Sequence, residues 1–355
     1  MLVYFTNLIT STIFNFLSRK LKNIKNKSSK FFEIIGLTIP ILVCGLRYNV
    51  GTDFENYQIW FFQYLNAPIS FEDKDFGFGI MIKIIQLFTV NPQILFIISA
   101  IIINILIMLF IKENTDFYDL GYFLFIALYF YYSSFNIMRQ WIAISIFLYS
   151  LKFIYNKKII KYLICVALAS VFHKTALLTI PIYFVFRMKI NLKNLAILIG
   201  GLSVVVLQFE NIITFAGQLL NLNIEKYLLY FDATSSAGSN GYAYAIMVVV
   251  LLCIILLTYK KYMNENKRGK EQILMLILAG IISLVGAGNM IFARLQFYFI
   301  PIIIVVIPNI LKLIPQRQRQ VAYFLVIILG MLYMYRSLLI NGGDPLPYQS
   351  VFGIK

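Results

Sequence analysis

Apolar runs alternate with short polar breaks along the whole chain. The runs cover residues 1–17, 31–46, 93–111, 118–134, 136–154, 157–172, 174–187, 194–209, 242–259, 271–288, 292–311 and 320–338. Each is close to the length at which a helix, rising about 1.5 Å per residue, crosses ~30 Å of hydrocarbon. The pattern predicts an all-α protein, a polytopic membrane bundle of about twelve transmembrane helices in one domain over residues 1–355. The polar stretches 48–75 and 210–241 are its expected outer loops.

Two stretches need a special reading. FGFGIMIKIIQLFTV (76–90) is short, carries Lys83 and Gln86 and stops at Asn91-Pro92, so it is expected to lie along the outer surface as an interfacial or re-entrant helix. VALASVFHKTALLTIPIYFVF (166–186) reads as a tight helical hairpin with His173 and Lys174 at its outer tip. A single long span would break the charge pattern that follows.

That pattern orients the bundle. SRKLKNIKNKSSK (18–30) carries Arg19, Lys20, Lys22, Lys25, Lys27 and Lys30 and no acid, which assigns it to the cytoplasm and the N-terminus to the outside. NKKIIK (156–161), RMKINLK (187–193), KKYMNENKRGK (260–270) and KLIPQRQR (312–319) then also fall inside. The outer loops hold most of the acids: Asp53, Glu55, Glu72, Asp73, Asp75, Glu210, Glu225 and Asp232. Both termini are expected outside the cytoplasm.

Composition agrees and excludes other classes. With 355 residues, 60% of them hydrophobic and 13% charged, and a mean hydropathy of +0.81, the chain is too apolar for one water-soluble core. A net charge of +16 would suit nucleic acid, but the basic residues sit in clusters between apolar runs and are better read as topology determinants. Cys44, Cys165 and Cys253 lie inside apolar runs without paired spacing, which speaks against a disulfide framework or a metal site. The first residues lack a charged leader and a small-residue cleavage site, and are read as a first span.

Threaded this way, the chain brings four costly residues to the outer border: Arg47 at the end of the second span, Arg139 in FNIMRQW, His173 at the hairpin tip and Arg294 in IFARLQFYF. Terminal arginines snorkel, and a single histidine at a helix turn is commonly a packed or capping residue. Their shared depth supports the other reading, a cluster facing an anionic ligand, because guanidinium forks bind phosphate oxygens in pairs. Asp53, beyond the Val50-Gly51-Thr52 turn, could orient a cation or accept a hydroxyl proton. Tyr48, Tyr57, Trp60 and Trp141 offer flat faces for sugars, although interfacial aromatics need no function. Asp73-Lys74-Asp75 has the D-x-D spacing of some metal-holding glycosyltransferases, and as a solvated loop needs no metal. No P-loop, Ser/His/Asp order or Cys/His metal spacing is present.

RYNVGTDFENY (47–57) resembles the R-x-x-x-G-T-D-x-x-x-Y signature of the EpsG-like group of Wzy-type polysaccharide polymerases, which make O-antigen, capsule and exopolysaccharide. DFGFGIMIK, FNIMRQWIAISIFLYS, ALASVFHKTALLTIPIY, ARLQFYFIPIIIVVIP and the terminal PLPYQSVF are similar to later segments of that group, in order. Asp75 departs from it, where a glutamate is more usual. The resemblance implies a bundle with an outward-facing cavity that joins oligosaccharide repeat units carried on undecaprenyl pyrophosphate, in the bacterial plasma (inner) membrane. It implies that Arg47, Arg139 and Arg294 hold pyrophosphate, that His173 binds or protonates the leaving phosphate, and that Asp53 positions or deprotonates the acceptor hydroxyl. Tyr48, Tyr57 and Lys174 join the expected substrate contacts. Neither cofactor nor metal is implied, since the activated lipid supplies the energy; a chain-length regulator and a flippase are the implied protein partners.

Three alternatives stand beside this reading, one of them a purely structural membrane subunit. A lipid-linked oligosaccharide flippase would show internal pseudo-symmetry and ionisable groups through the bilayer centre. A membrane acyltransferase using His173 would need its donor on the cytoplasmic side. Asp53 as catalytic base and Asp53 as a salt-bridge partner of Arg47 look the same in the sequence.

Overall fold

The first helix outruns the apolar segment that predicts it. Lysine and arginine are good helix formers and are favoured near a helix C-terminus, so α1 (Leu2–Asn23) continues through Arg19, Lys20 and Lys22 before the chain turns. The structure, a computed structural model, describes residues 1–66, 68, 76–219 and 239–353. It is 80% helical, and among the described residues the only β pairing is an isolated antiparallel bridge between Arg47 and Ser350.

Two compact units divide the chain. The first comprises residues 1–180 and 307–355. A short basic connection folds α2 (Ser29–Gly45) back along α1, and the seam between them is small and polar. Asn7, Ser11, Asn15 and Ser18 recur on one face of α1 at helical spacing and are all but fully buried. Ser11 donates to the Gly36 carbonyl at 2.7 Å, and Ser18 and Ser29 each donate to the other's carbonyl, at 2.8 and 2.9 Å. Small residues and exchanged hydrogen bonds are what joins helices where the hydrophobic effect cannot.

After α2 come α3 (Phe54–Asn66), within the expected outer loop, and α4 (Phe76–Gln86). At eleven residues α4 is ~16 Å long, too short to cross a bilayer. α5 (Gln93–Asn114) packs on α2 and on α8 (Met138–Tyr155), which is buried on nearly every face. Between them the expected span 118–134 is broken into α6 (Tyr118–Ala127) and α7 (Phe130–Ser133) by Tyr129, whose φ of 73° is left-handed. α9 (Ile159–Phe172) ends at His173, and the chain turns back there as a 3-10 helix, Lys174–Thr179. Tyr162 fixes the return by donating to the Thr179 carbonyl at 2.6 Å.

The second unit, residues 181–306, holds α10 (Ile182–Val185), α11 (Leu192–Leu207), α12 (Phe209–Leu219), α13 (Ser239–Leu257), α14 (Tyr259–Glu265), α15 (Gly269–Gly286) and α16 (Met290–Leu295). α13 and α15 form its main helix pair. After two 3-10 turns, α17 (Ile303–Leu311) carries the chain into α18 (Gln316–Ile340), which belongs to the first unit.

By length and composition, four helical stretches among the described residues can cross a membrane: Gln93–Asn114, Gly269–Gly286, Met290–Leu311 and Gln316–Ile340. A fifth exists if Gly241–Leu257 and Tyr259–Glu265, bent by 92°, count as one span. Several of the twelve expected spans are instead shorter apolar helices, among them Tyr118–Ala127 and Ile159–Phe172.

Candidate functional site

The loop after α2 is held from three sides. Arg47 has no exposed surface. Its guanidinium donates to the Cys44 carbonyl at 2.6 Å and to the Phe135 carbonyl at 3.0 Å, and lies over the rings of Phe96 (4.8 Å) and Phe135 (4.6 Å). On the backbone, the C-terminal tail runs antiparallel to the loop. Tyr48 donates to the Gln349 carbonyl, Val351 to that of Leu46 and Gly51 to that of Asp344. Asn136 ties the tail in from the other side by donating to the Gly343 carbonyl at 2.9 Å.

Gly51 makes this geometry accessible. Its φ of 96° lies where side chains are strained, and a Cβ there would sit 2.5 Å from the Asn136 Oδ1. Gly51→Ala is expected to destabilise the protein by roughly 2 kcal/mol and to displace the loop. Thermal unfolding of the detergent-solubilised protein would show this as a lower midpoint than wild type; an unchanged midpoint would mean that the loop relaxes freely.

Beyond Gly51 the chain enters α3. Asp53 is the residue before that helix, and its carbonyl accepts the Tyr57 amide at 3.1 Å, the position at which an acidic side chain meets the helix's positive end. Tyr57, one turn on, is 2% exposed. Its hydroxyl donates to the Asn136 carbonyl at 2.6 Å and accepts the Met138 amide at 2.9 Å. Burial raises its pKa above the ordinary tyrosine value, the nearby Arg139 charge pulls it back, and Asp53 adds to the rise. Tyr57 therefore stays protonated at neutral pH and joins α3 to the start of α8.

Arg139 stands in the first turn of α8, half-buried, with its guanidinium 4.3 Å from the centre of the Trp60 ring. The Tyr57 hydroxyl takes the first amide of that helix, at Met138. The N-terminal end of a helix is positive, and the guanidinium stacked on Trp60 adds to that charge. An anion placed there would meet both the guanidinium and the helix end, so the position favours phosphate.

The structure thus brings Asp53, Tyr57, Trp60 and Arg139 together. Arg47 and Tyr57, both expected as substrate contacts, are placed beneath the surface, the Arg47 terminal nitrogens and the Tyr57 hydroxyl engaged by backbone groups. Tyr48 is half-buried, its ring edge-on to Phe54 at 5.6 Å. His173 is half-buried at the break after α9, and Lys174 beside it is exposed. α4 links this break to the cluster. Phe78 packs on Tyr57 at 5.6 Å, while a Cβ on Gly77 would lie 2.6 Å from Val171, two residues before His173. Arg294 belongs to the second unit, exposed at the end of α16, whose start Asn289 caps by accepting the Ile291 and Phe292 amides.

Sequence reasoning passed over Asn136, and it quoted the tail for its resemblance without giving it a place against the loop. Asn136 holds the tail through its side chain and Tyr57 through its carbonyl; the signal available was a polar residue in the apolar border FNIMRQW. Among the described residues no three His, Cys, Asp or Glu side chains gather as a metal site. Asp73 and Asp75, the D-x-D pair, lie outside the described residues.

Neither the curated proteins nor the solved structures give a match to this chain. The EpsG family model matches residues 30–350, from the start of α2 to the bridge at Ser350, and so takes in the loop, the α8 start and most of the tail. On that match, which spans most of its length, the chain belongs to the EpsG family of Wzy-type polymerases.

Proposed function

We propose that this polysaccharide polymerase joins oligosaccharide repeat units carried on undecaprenyl pyrophosphate, on the outer face of a bacterial plasma membrane. The observation that carries the reading is Arg139, whose guanidinium stacks on Trp60 in the first turn of α8, with Arg139 and Asp53 both close enough to act on the charge state of Tyr57. In this reading Arg139 binds the donor's pyrophosphate. The acceptor hydroxyl attacks the anomeric carbon of the donor sugar, the bond to pyrophosphate breaks, and its electron pair leaves with the phosphate oxygen. Asp53 orients the acceptor hydroxyl and takes its proton.

Prearranged positive charge stabilises the leaving pyrophosphate without reorganising as the bond breaks. His173 binds or protonates that leaving group, and Lys174, Tyr48 and Arg294 contact the lipid-linked glycans. Arg47 and Tyr57 support the site from below. The twelve-span topology, both termini outside, the single domain, and association with a chain-length regulator and a flippase belong to the same proposal, as does a product of the capsule, O-antigen or exopolysaccharide kind. No cofactor enters the reaction.

The test is polymer length in cells that carry His173→Ala at wild-type protein level. Pyrophosphate is a good leaving group, so losing its proton donor should slow chain growth by about a hundredfold, the low end for acid–base groups. A gel of surface polysaccharide should show short chains or single units. A full-length ladder would remove His173 from the site, and loss of even the single exported unit would favour a flippase.

A further inference from the structure

In the first unit, a cleft of about 980 Å³ is lined by the C-terminal half of α1, by Phe117 and by the N-terminal half of α18. The polymerase reading uses none of its residues. The walls are greasy and open: Ile13 is 51% exposed and Phe324 65%, with Leu17 and Ile327 beside them. α18 as a whole is little covered, with only 17% of its most apolar window buried, which suits contact with lipid chains.

The mouth of the cleft is cationic. Arg19, Lys20 and Arg319 line it, and no acid does. Arg19 is matched from below by Asp119, a fully buried acid 2.6 Å away that also accepts the Tyr323 hydroxyl at 2.8 Å. That pair is neutral overall, and it leaves Lys20 and Arg319 as surplus charge. Arg319 is fixed in place by donating to the carbonyls of Lys312 and Ile314 at 2.9–3.1 Å, and it shares the Phe117 ring with Arg19. Lys20 is exposed above Phe16. The uncharged donors Gln316 and Gln320 complete the rim.

We infer that this cleft holds an anionic phospholipid, its phosphate between Lys20 and Arg319 and its acyl chains along Ile13, Leu17 and Phe324. Basic residues at a membrane border above an apolar groove provide both parts of that recognition, charge for the head group and contact area for the chains. A zwitterionic lipid fits the walls equally well and offers the same phosphate, but it brings a head-group cation into a mouth that is already cationic. A soluble phosphate fits the cations and leaves the walls bare.

The test uses the full-length protein in detergent, with bound lipid counted by native mass spectrometry. Phosphatidylglycerol and phosphatidylcholine of identical chains are compared on wild type, Lys20→Gln and Gln320→Glu, both changes being at exposed positions. The expected result is at least about tenfold preference for phosphatidylglycerol in wild type, falling about fivefold in each variant, with phosphatidylcholine unaffected. Equal retention of the two lipids by wild type, or variants that keep the full preference, would overturn the proposal. So would glycerol 3-phosphate binding as tightly as phosphatidylglycerol, which would mark a site for soluble anions, or a polyprenyl phosphate displacing it at equal concentration, which would mark a carrier site.

Discussion

Arg139→Lys should leave a normally inserted, normally stable protein that adds repeat units at between about a hundredth and a thousandth of the wild-type rate, the usual cost of losing one prearranged donor to developing charge. A lysine keeps the charge, but its compact ammonium loses the fork that engages two phosphate oxygens and the flat face that stacks 4.3 Å above Trp60. Without that stack the side chain is free to turn to water, so the charge is no longer waiting where the leaving pyrophosphate forms. Cells carrying the variant should export single repeat units, with immunoblot level and thermal midpoint as in wild type. The same variant turning over a purified lipid-linked repeat unit at the wild-type rate would reduce Arg139 to an interfacial anchor. Trp60→Leu should reproduce part of the loss, because it removes the ring and leaves the arginine.

Much of the helical framework is legible from the apolar runs. α5 and α8 begin within two residues of the runs 93–111 and 136–154, since nothing in those stretches competes with a helix. The 118–134 run misleads for a reason that lies elsewhere in the chain. ALYFYYS contains neither glycine nor proline, and the φ of 73° at Tyr129 goes with a contact made far outside the segment: its hydroxyl donates to the Gly342 carbonyl at 3.1 Å. A run long enough to span is therefore split where the C-terminal tail comes in. α1 and its loop err the other way, because charge marks a membrane border without ending a helix.

The candidate site was half legible for a related reason. Arg139 and Asp53 stand where polar residues interrupt apolar runs, and such interruptions can be seen one residue at a time. Arg47 interrupts a run in the same manner, and its sequence context gives no hint that it is inside the protein. Its second partner, the Phe135 carbonyl, is 88 positions away, and the Arg47–Ser350 bridge that closes the loop over it joins the loop to the far end of the chain. Burial of an arginine is decided by such distant carbonyls and rings, which hydropathy along the chain does not record.

Arg47→Ala should accordingly lose the folded protein and not merely its activity. The change opens a cavity between Phe96 and Phe135 and leaves the buried Cys44 and Phe135 carbonyls without their donors, which at ~1–3 kcal/mol for each stranded acceptor comes to roughly 2–5 kcal/mol. The expected result is a thermal midpoint lowered by several degrees and reduced protein in the membrane fraction. Arg47→Lys should fall between, since one ammonium cannot reach both carbonyls and stack on both rings. Deleting residues 342–355 should weaken the same loop from its other side, by removing the acceptors that Tyr48, Gly51 and Asn136 use. The opposite pattern would overturn this assignment: Arg47→Ala protein at wild-type level and wild-type midpoint that makes no polymer would place Arg47 in contact with the pyrophosphate. The two arginines are thereby separable, one read out as chain length at constant stability and the other as stability itself.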